Sequence, residues 1–317
     1  MVRYYYYIDV VIIRRLGMRV AITGATGFVG RHVVAALESD EPPFRIRAIV
    51  RDRSRASSEL PPTVVDVREA DVTRPETLRG AFDGMDAVVH LVAVPTERHG
   101  SFTRVNAEGT RAVVAEAERA GVTRFVHLSA IGASPDSPYP FLRTKGEGQA
   151  AVEASRIPHV VLRPSILFGP GDDFFPRLRF SLRFPVVPLP GGGNARFQPL
   201  HVADLARAVR AALRGPMTGT YEIGGPDPAT YRQMLEETMR AYRKKRLTMP
   251  LPVPLMKPAA FLFERTMADP PVTVPQLDLL AVDNTPQPNA IDQVFGIHPR
   301  PFLGGGLSYL GQRSEGA

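Results

Sequence analysis

Residues 19–38 read RVAITGATGFVGRHVVAALE. The first five, RVAIT, form a short β-rich run, and apolar positions then recur at helical spacing across 28–38 (FVGRHVVAALE). Between them lies Thr23-Gly24-Ala25-Thr26-Gly27-Phe28-Val29-Gly30. In a strand–loop–helix setting Gly24 permits the tight turn, Gly27 lets a pyrophosphate approach the backbone, and Gly30 lets helix and strand lie close. The helix start also offers free N–H groups and a positive dipole end to phosphates. Three glycines chosen only for packing would give the same letters. The setting favours a dinucleotide site made by Gly24, Thr26, Gly27, Phe28, Val29 and Gly30.

Outward from this stretch, 45–50 (RIRAIV) alternates like a strand, and 63–67 and 86–92 (DAVVHLV) read as further strands. A short helix is expected over 75–82, begun by Thr73 and Pro75, with longer ones over 101–120 and 141–155. Residues 123–129 (TRFVHLS) and 159–163 (HVVLR) complete the strand pattern. The βαβα alternation predicts an α/β fold, a Rossmann-type doubly wound parallel sheet with helices on both faces. After Pro164 the rhythm breaks. Helices near 202–213 and 230–243 and a strand at 219–223 remain. Prolines crowd 250–275, where long helices are not expected; only 258–267 (PAAFLFERTM) suits a short one, with Pro258 near its first turn. The expected organisation is a nucleotide-binding domain over 18–165, with parts of 190–225 returning to it, and a small C-terminal α/β lobe over 166–317.

The 317 residues suffice for a large domain with a smaller lobe. Hydrophobic residues at 44% and charged ones at 22% exclude global disorder. The chain has no cysteine, so disulfides, thiolate metal sites and a cysteine nucleophile are excluded, and no metal site is expected. Part of the net charge of +7 sits at 240–246, where Arg240, Arg243, Lys244, Lys245 and Arg246 stand without an acid. That run is either a solvated helix end or an attraction for phosphates and anionic headgroups. No basic stripe interleaved with aromatics occurs elsewhere, so nucleic acid is not an expected partner. No stretch reaches the roughly 18 apolar residues of a membrane span. Residues 1–17 (MVRYYYYIDVVIIRRLG) lack a signal-type cleavage site, and Met18 opens a more ordinary start. They are expected to be a non-native or flexible extension.

The end of the second strand chooses the nucleotide. An acid there holds a ribose 2′-hydroxyl, whereas arginine suits a 2′-phosphate. This chain reads Ile49-Val50-Arg51-Asp52-Arg53-Ser54. Arg51 stands in the deciding place, Arg53 and Ser54 are near enough to help, and Asp52 comes one residue late. NADP(H) is expected ahead of NAD(H).

With these features the chain resembles the short-chain dehydrogenase/reductase superfamily in its extended and atypical, epimerase/dehydratase-like branches. Asp71-Val72 resembles the family's adenine-contacting acid, and His90-Leu91-Val92-Ala93 resembles the loop after the fourth strand that lines the cofactor. Asn106-Ala107-Glu108-Gly109-Thr110 matches its structural asparagine motif; Arg163-Pro164-Ser165 with Phe168-Gly169-Pro170 is similar to its nicotinamide-side segment. The resemblance implies that Asp71, Val72, Leu91, Val92, Ala93, Asn106, Pro164 and Ser165 serve the cofactor. Segments 127–149, 163–175, 189–206 and 270–284 are similar to a narrower group, related to the accessory NADPH-binding subunit of respiratory complex I. In that subunit the nucleotide is held structurally, which implies a docked, non-turnover role.

Active members of the superfamily use a serine, a tyrosine and a lysine, the last two at i and i+4 on one helix face. The lysine lowers the phenol pKa and holds the ribose, so that the tyrosine can pass a proton. Ser129 and Lys145 match the outer members, but Phe141 stands four residues before Lys145. A phenyl ring transfers no proton. Tyr139, followed by Pro140, falls about 200° round the helix from Phe141 and belongs to the turn before it; it is a substitute acid only by swinging inward. His201 reads first as a packed residue at a helix start, and Asp172 and Asp173 read first as a helix start. Two functions follow. One is a structural or regulatory NADP(H)-binding protein, cytoplasmic, docked on a membrane-protein complex or an anionic membrane surface at its inner face. The other is a working NADP-dependent reductase, dehydrogenase or epimerase with a displaced acid.

Overall fold

The computed structural model describes residues 17–64, 66–97, 101–267, 270–280 and 282–311. The expectation for 1–17 lies outside the described residues except at Gly17. The first half of the chain alternates strictly: β1 (Arg19–Thr23), α1 (Phe28–Glu38), β2 (Arg45–Val50), α2 (Arg53–Glu59), β3 (Asp66–Glu69), α3 (Pro75–Leu78), β4 (Ala87–His90), α4 (Gly109–Arg119), β5 (Arg124–Leu128), α5 (Pro140–Glu153) and β6 (His159–Pro164). Then come β7 (Leu167–Phe168), α6 (Phe174–Ser181), β8 (Val186–Pro190), β9 (Arg196–Phe197), β10 (Leu200–His201), α7 (Val202–Arg214), β11 (Gly219–Ile223), β12 (Ala229–Thr230), α8 (Tyr231–Ala241), β13 (Leu247–Leu251), α9 (Val253–Thr266) and α10 (Val274–Leu279). Two one-turn helices, α11 (Ala290–Gln293) and α12 (Ser308–Gly311), follow.

Seven strands form one parallel sheet in the order β11-β6-β5-β4-β1-β2-β3. The order reverses between β1 and β4, the switch point at which such sheets take ligands. Strands covered on both faces read as unbroken apolar runs, and Ala87, Val88, Val89 and His90 of β4 are all buried. On one face Val33, Val34 and Leu37 of α1 meet Leu205, Val209 and Ala212 of α7. On the other, Phe82, Val113, Ala117 and Val152 close over Phe125. Each buried Val, Leu or Phe among them contributes roughly 1.5–3 kcal/mol by leaving water. Thus α7 and β11, late in the chain, return to the main sheet. A third core, with Phe168, Phe175, Leu189, Leu235 and Phe302, holds the C-terminal lobe.

Several expected bounds move for local reasons. The strand expected at 63–67 begins at Asp66, because Val64 donates to the Pro61 carbonyl in a turn. The helix expected over 75–82 ends at Leu78, before Gly80 with φ +72°. Residues 101–120 divide into a π-helical turn, Thr103–Glu108, and α4. The expectation that prolines exclude a long helix in 250–275 is overturned: α9 runs 14 residues from Val253 to Thr266. Pro254 falls in its first turn, where no N–H partner is needed, so only Pro258 removes a helical bond.

Candidate functional site

After β1 the chain turns at Gly24, whose φ of +75° disfavours a side chain. Gly27 N–H donates to the Gly24 carbonyl at 3.0 Å and closes the turn. The turn then lies directly against α1: a Cβ on Gly30 would fall 2.1 Å from the Gly24 oxygen and 2.6 Å from the Ala25 oxygen. Gly27 differs, since it is exposed and its Cβ would meet only the Gly24 oxygen, at 3.2 Å. No side chain caps α1 and no acid stands in its first turn. Its first amides, flanked by the half-buried Thr26, Phe28 and Val29, therefore have no side-chain cap, the condition under which a helix start can take an anion. The segment after β7 leans over this helix start. His32 Nε2 donates to the Pro170 carbonyl at 2.9 Å, and a Cβ on Gly171 would come within 3.0 Å of the Arg31 guanidinium.

At the end of β2, Arg51 and Arg53 are exposed. Asp52 caps α2, its Oδ1 accepting from the Ser54 N–H at 2.9 Å and from the Ser54 hydroxyl at 2.6 Å. That explains an acid one residue late, and it commits the Ser54 hydroxyl proton to the cap. Asp71 Oδ1 likewise accepts from the Thr73 N–H at 2.9 Å and its hydroxyl at 2.8 Å. Burial works to raise the Asp71 pKa, but the Thr73 bonds and the charges of Arg74 and Arg51 outweigh it and hold the carboxyl below its ordinary range. Val72 turns inward, against the position a Gly109 Cβ would occupy. Beyond β4, Leu91 N–H donates to the Thr23 carbonyl at 3.2 Å, Val92 abuts Gly24 and Ala93 is exposed.

Asn106 is buried and holds that loop from below: Oδ1 accepts from Val94 N–H at 2.9 Å, and Nδ2 donates to the Val94 carbonyl at 3.3 Å. A hydrogen-bonded chain runs beneath it. The Thr110 hydroxyl donates to the Asn106 carbonyl at 2.7 Å, so it must accept from His90 Nε2 at 3.0 Å. His90 Nδ1 is then bare and accepts from the Thr23 hydroxyl at 2.6 Å. His90 is thus a neutral Nε2–H tautomer, its pKa pushed down to about 3 by burial and by Lys145. It stacks on His127, ring centroids 5.3 Å apart. Neither His90 nor His127 was singled out as functional from sequence; their burial follows from their places on inner strands, which letter patterns only suggest.

On α5, Lys145 is buried and its Nζ donates to the Leu128 carbonyl. Burial pushes its ammonium pKa down to about 7. Ser129, at the end of β5, is 5% exposed, and its Oγ has no hydrogen-bond partner among the described residues. Phe141 packs edge-on against Phe102 with centroids 6.0 Å apart. Tyr139 is the residue before the helix: its N–H donates to Ser137 Oγ at 3.3 Å and its carbonyl accepts from Arg143 N–H at 2.8 Å.

The remaining candidates are structurally engaged. Pro164 ends β6, where its carbonyl accepts from the Ile131 N–H. The Ser165 hydroxyl donates toward the Asn284 carbonyl and side-chain oxygens at 2.7 and 2.8 Å, and accepts from Gln198 N–H at 3.0 Å. His201 Nδ1 accepts from Ala203 N–H at 3.1 Å and so caps α7. Asp172 accepts from Phe175 N–H at 3.0 Å and from the Tyr309 hydroxyl. Among the described residues no group of three or more His, Asp or Glu is placed to hold a metal.

A turn that excludes a Cβ at Gly30 and disfavours one at Gly24, an uncapped helix start at the switch point and a buried Ser129 Oγ without a partner among the described residues all fit a nicotinamide dinucleotide. They define a doubly wound nucleotide-binding protein. Residues 24–173 match a family model described as NAD(P)H-binding. Over 273 residues the chain is 31% identical to the 3-diazoavenalumate denitrifying reductase of a Streptomyces species, spanning 77% of this chain and 85% of that protein. It is 27% identical to mitochondrial NADH dehydrogenase [ubiquinone] 1 alpha subcomplex subunit 9 of Arabidopsis thaliana, over 95% of this chain and 79% of the relative. A nucleoside-diphosphate-sugar epimerase from Staphylococcus aureus superposes with a TM-score of 0.71 at 20% identity, covering 93% of this chain and 100% of the other. The chain belongs to the NAD(P)H-binding short-chain dehydrogenase/reductase family, in an atypical group resembling that complex I subunit.

Proposed function

We propose that this protein holds NADP(H) as a structural or regulatory nucleotide and docks on a membrane-associated complex or an anionic membrane surface. The observation that carries the reading is Phe141, packed on Phe102 in the place where an acid is needed. On this reading Gly24, Gly27 and Gly30, with Thr26, Phe28 and Val29, take the pyrophosphate. Arg51, with Arg53 and Ser54 beside it, takes the 2′-phosphate. Asp71 and Val72 border the adenine, Leu91, Val92 and Ala93 form a floor held by Asn106, and Ser129, Lys145, Pro164 and Ser165 border the nicotinamide ribose. A bound nicotinamide supplies a hydride, but the α5 face offers no phenol to move the accompanying proton. Docking draws support from the basic run at 240–246 and from the likeness to a complex I subunit. A peripheral seat on the cytoplasmic face fits too, since among the described residues no helix is long and apolar enough to cross a membrane.

The test is to titrate purified protein with NADPH and NADH, then add a panel of carbonyl compounds. NADPH should bind and stay unconsumed, and Arg51→Glu should weaken NADPH by about 10-fold or more while changing NADH little. Steady carbonyl-dependent oxidation of NADPH by the wild type overturns the structural role. A second reading, an active NADP-dependent reductase, dehydrogenase or epimerase, is favoured by the reductase relative and by Tyr139 at the start of α5. If the wild type turns over and Tyr139→Phe abolishes it, Tyr139 is the displaced acid.

A further inference from the structure

The C-terminal lobe presents an apolar face that its own fold leaves uncovered. β8 and β13 pair in parallel, Leu247 opposite Val186 and Met249 opposite Pro188. Alternation along the strands sends Val187 and Leu189 into the lobe core and turns Val186, Leu247 and Met249 outward, Leu247 to 73% exposure. Phe184, just before β8, is also exposed. Its ring meets Phe180, which meets Phe263, so α9 adjoins this strand pair.

α9 is built the wrong way round for a helix facing water. Of its 14 residues only Ala260 is buried, while Leu255 and Leu262 are exposed by 65% and 57%, and Phe261 by half. Leu255 and Leu262 lie seven residues apart and share one side. The polar side of α9 is the one turned to α10, where Lys257 pairs with Asp278 at 2.9 Å and Glu264 accepts from the Val274 N–H at 2.6 Å. The apolar side is thus left outward, and such a side belongs against protein or lipid.

Charge selects between those covers. No acid stands between Asp173 and Asp204, nor between Glu237 and Glu264, and these two segments build the face. Arg243, Lys244 and Lys245, exposed, lead into β13. Arg265 stacks on Phe261 at 4.5 Å and Arg183 on Phe180 at 5.2 Å, so apolar and cationic groups alternate along one rim. Long cationic side chains bordering buried apolar ones suit the headgroup layer, where stems sit in the apolar zone and charges reach phosphates. A second copy would set cations against cations.

We propose that this face, α9 with the outer side of β8 and β13, seats the protein on an anionic lipid bilayer, Arg243, Lys244 and Lys245 meeting lipid phosphates. The inference deepens the docking part of the proposed function and is independent of the nucleotide part. The experiment is flotation of the full chain with vesicles of phosphatidylcholine, alone or mixed with phosphatidylglycerol, at low and high salt. The wild type should float with the mixed vesicles, much less with phosphatidylcholine alone, and be largely released by salt. Arg243→Ala/Lys244→Ala/Lys245→Ala should weaken binding on the order of 100-fold, and Leu255→Gln/Leu262→Gln on the order of 10-fold. Each variant should keep the wild-type melting temperature and NADPH titration, which separates a lost surface from a lost fold. A wild type that leaves mixed vesicles unoccupied overturns the proposal, as do leucine variants that float like the wild type. A dimer, or a tight protein complex, that the leucine variants dissociate assigns the face to protein instead. Intact NADPH binding without flotation sinks only the docking; flotation without NADPH binding sinks only the nucleotide reading.

Discussion

At the Gly24–Gly30 turn the chain strips side chains away, so that backbone amides at an uncapped helix start are left for an anion. On the inner side of α5 it does the reverse. Phe141 puts carbon where a hydroxyl is needed, and Lys145 lies buried with its ammonium on the Leu128 carbonyl. Both regions belong to one sheet domain, yet the first leaves a helix start uncapped and the second carries a phenyl ring four residues before its buried lysine. On the proposed reading, binding and chemistry are separable in this chain: the glycine turn keeps its backbone geometry while position 141 carries no proton donor.

The difference can be broken most severely at the turn. Gly30→Ala would force a Cβ to within 2.1 Å of one backbone oxygen and 2.6 Å of another, neither free to move. We expect a loss of about 3 kcal/mol in urea unfolding, with nucleotide binding abolished. Gly27→Ala, whose Cβ would stay 3.2 Å from its nearest neighbour, should fold normally and lose NADPH affinity alone. A Gly30→Ala protein as stable as the wild type would show that the turn does not rest on the helix as described.

Next in size is the buried lysine. Its pKa of about 7 in the fold lies below the ordinary 10.5, so between those values the unfolded chain binds more protons. Stability should then rise with pH across that window, by at most about 1.4 kcal/mol per pH unit. Lys145→Met should flatten that rise and shrink, without removing, the separate rise below the ordinary histidine pKa of 6.5, since burial is the main cause and Lys145 a lesser one in holding His90 and His127 neutral. Because a charged ammonium is a stronger donor to the ribose oxygens than a neutral amine, NADPH affinity in the wild type should fall as pH climbs above about 7. Urea unfolding and fluorescence titrations at stepped pH measure both; a wild type whose stability is flat above pH 7 removes the buried-ammonium account.

How legible each region was in the letters follows from the range of its interactions. The glycine turn obeys local rules, and β1, β2 and α1 stand where spacing put them, at Arg19–Thr23, Arg45–Val50 and Phe28–Glu38. Phe141 was equally readable, since an i, i+4 relation needs only one helix. The network under the site was not. His90 meets Thr23 and Thr110 across 67 and 20 residues, and Ser165 meets Asn284 across 119, contacts that only the folded sheet brings together. α9 is hidden in the letters for a different reason: the number of prolines in 250–275 argues against a helix, whereas Pro254 in the first turn costs nothing and only Pro258 falls inside. Its outward apolar face is equally hidden, because the polar side, Lys257 and Glu264, turns inward to α10, the reverse of the usual pattern.

The smallest structural change sharpens the contrast most directly. Phe141→Tyr adds one hydroxyl to a half-buried ring that meets Phe102 edge-on at 6.0 Å, on the same helix side as Lys145. Stability should move by no more than about 1 kcal/mol, since the ring and its contact are kept. If the missing phenol is what silences α5, the variant should oxidise NADPH with some member of the carbonyl panel that the wild type leaves alone. A general acid is worth roughly 10²–10⁴ in rate, so even a poor substrate would register. The decisive control is the double variant Phe141→Tyr/Lys145→Met, which should lose the new activity because the phenol then has no cation to lower its pKa. A double variant as fast as the single one would place the new activity off the α5 face, and Phe141 would no longer mark the line between holding the nucleotide and using it.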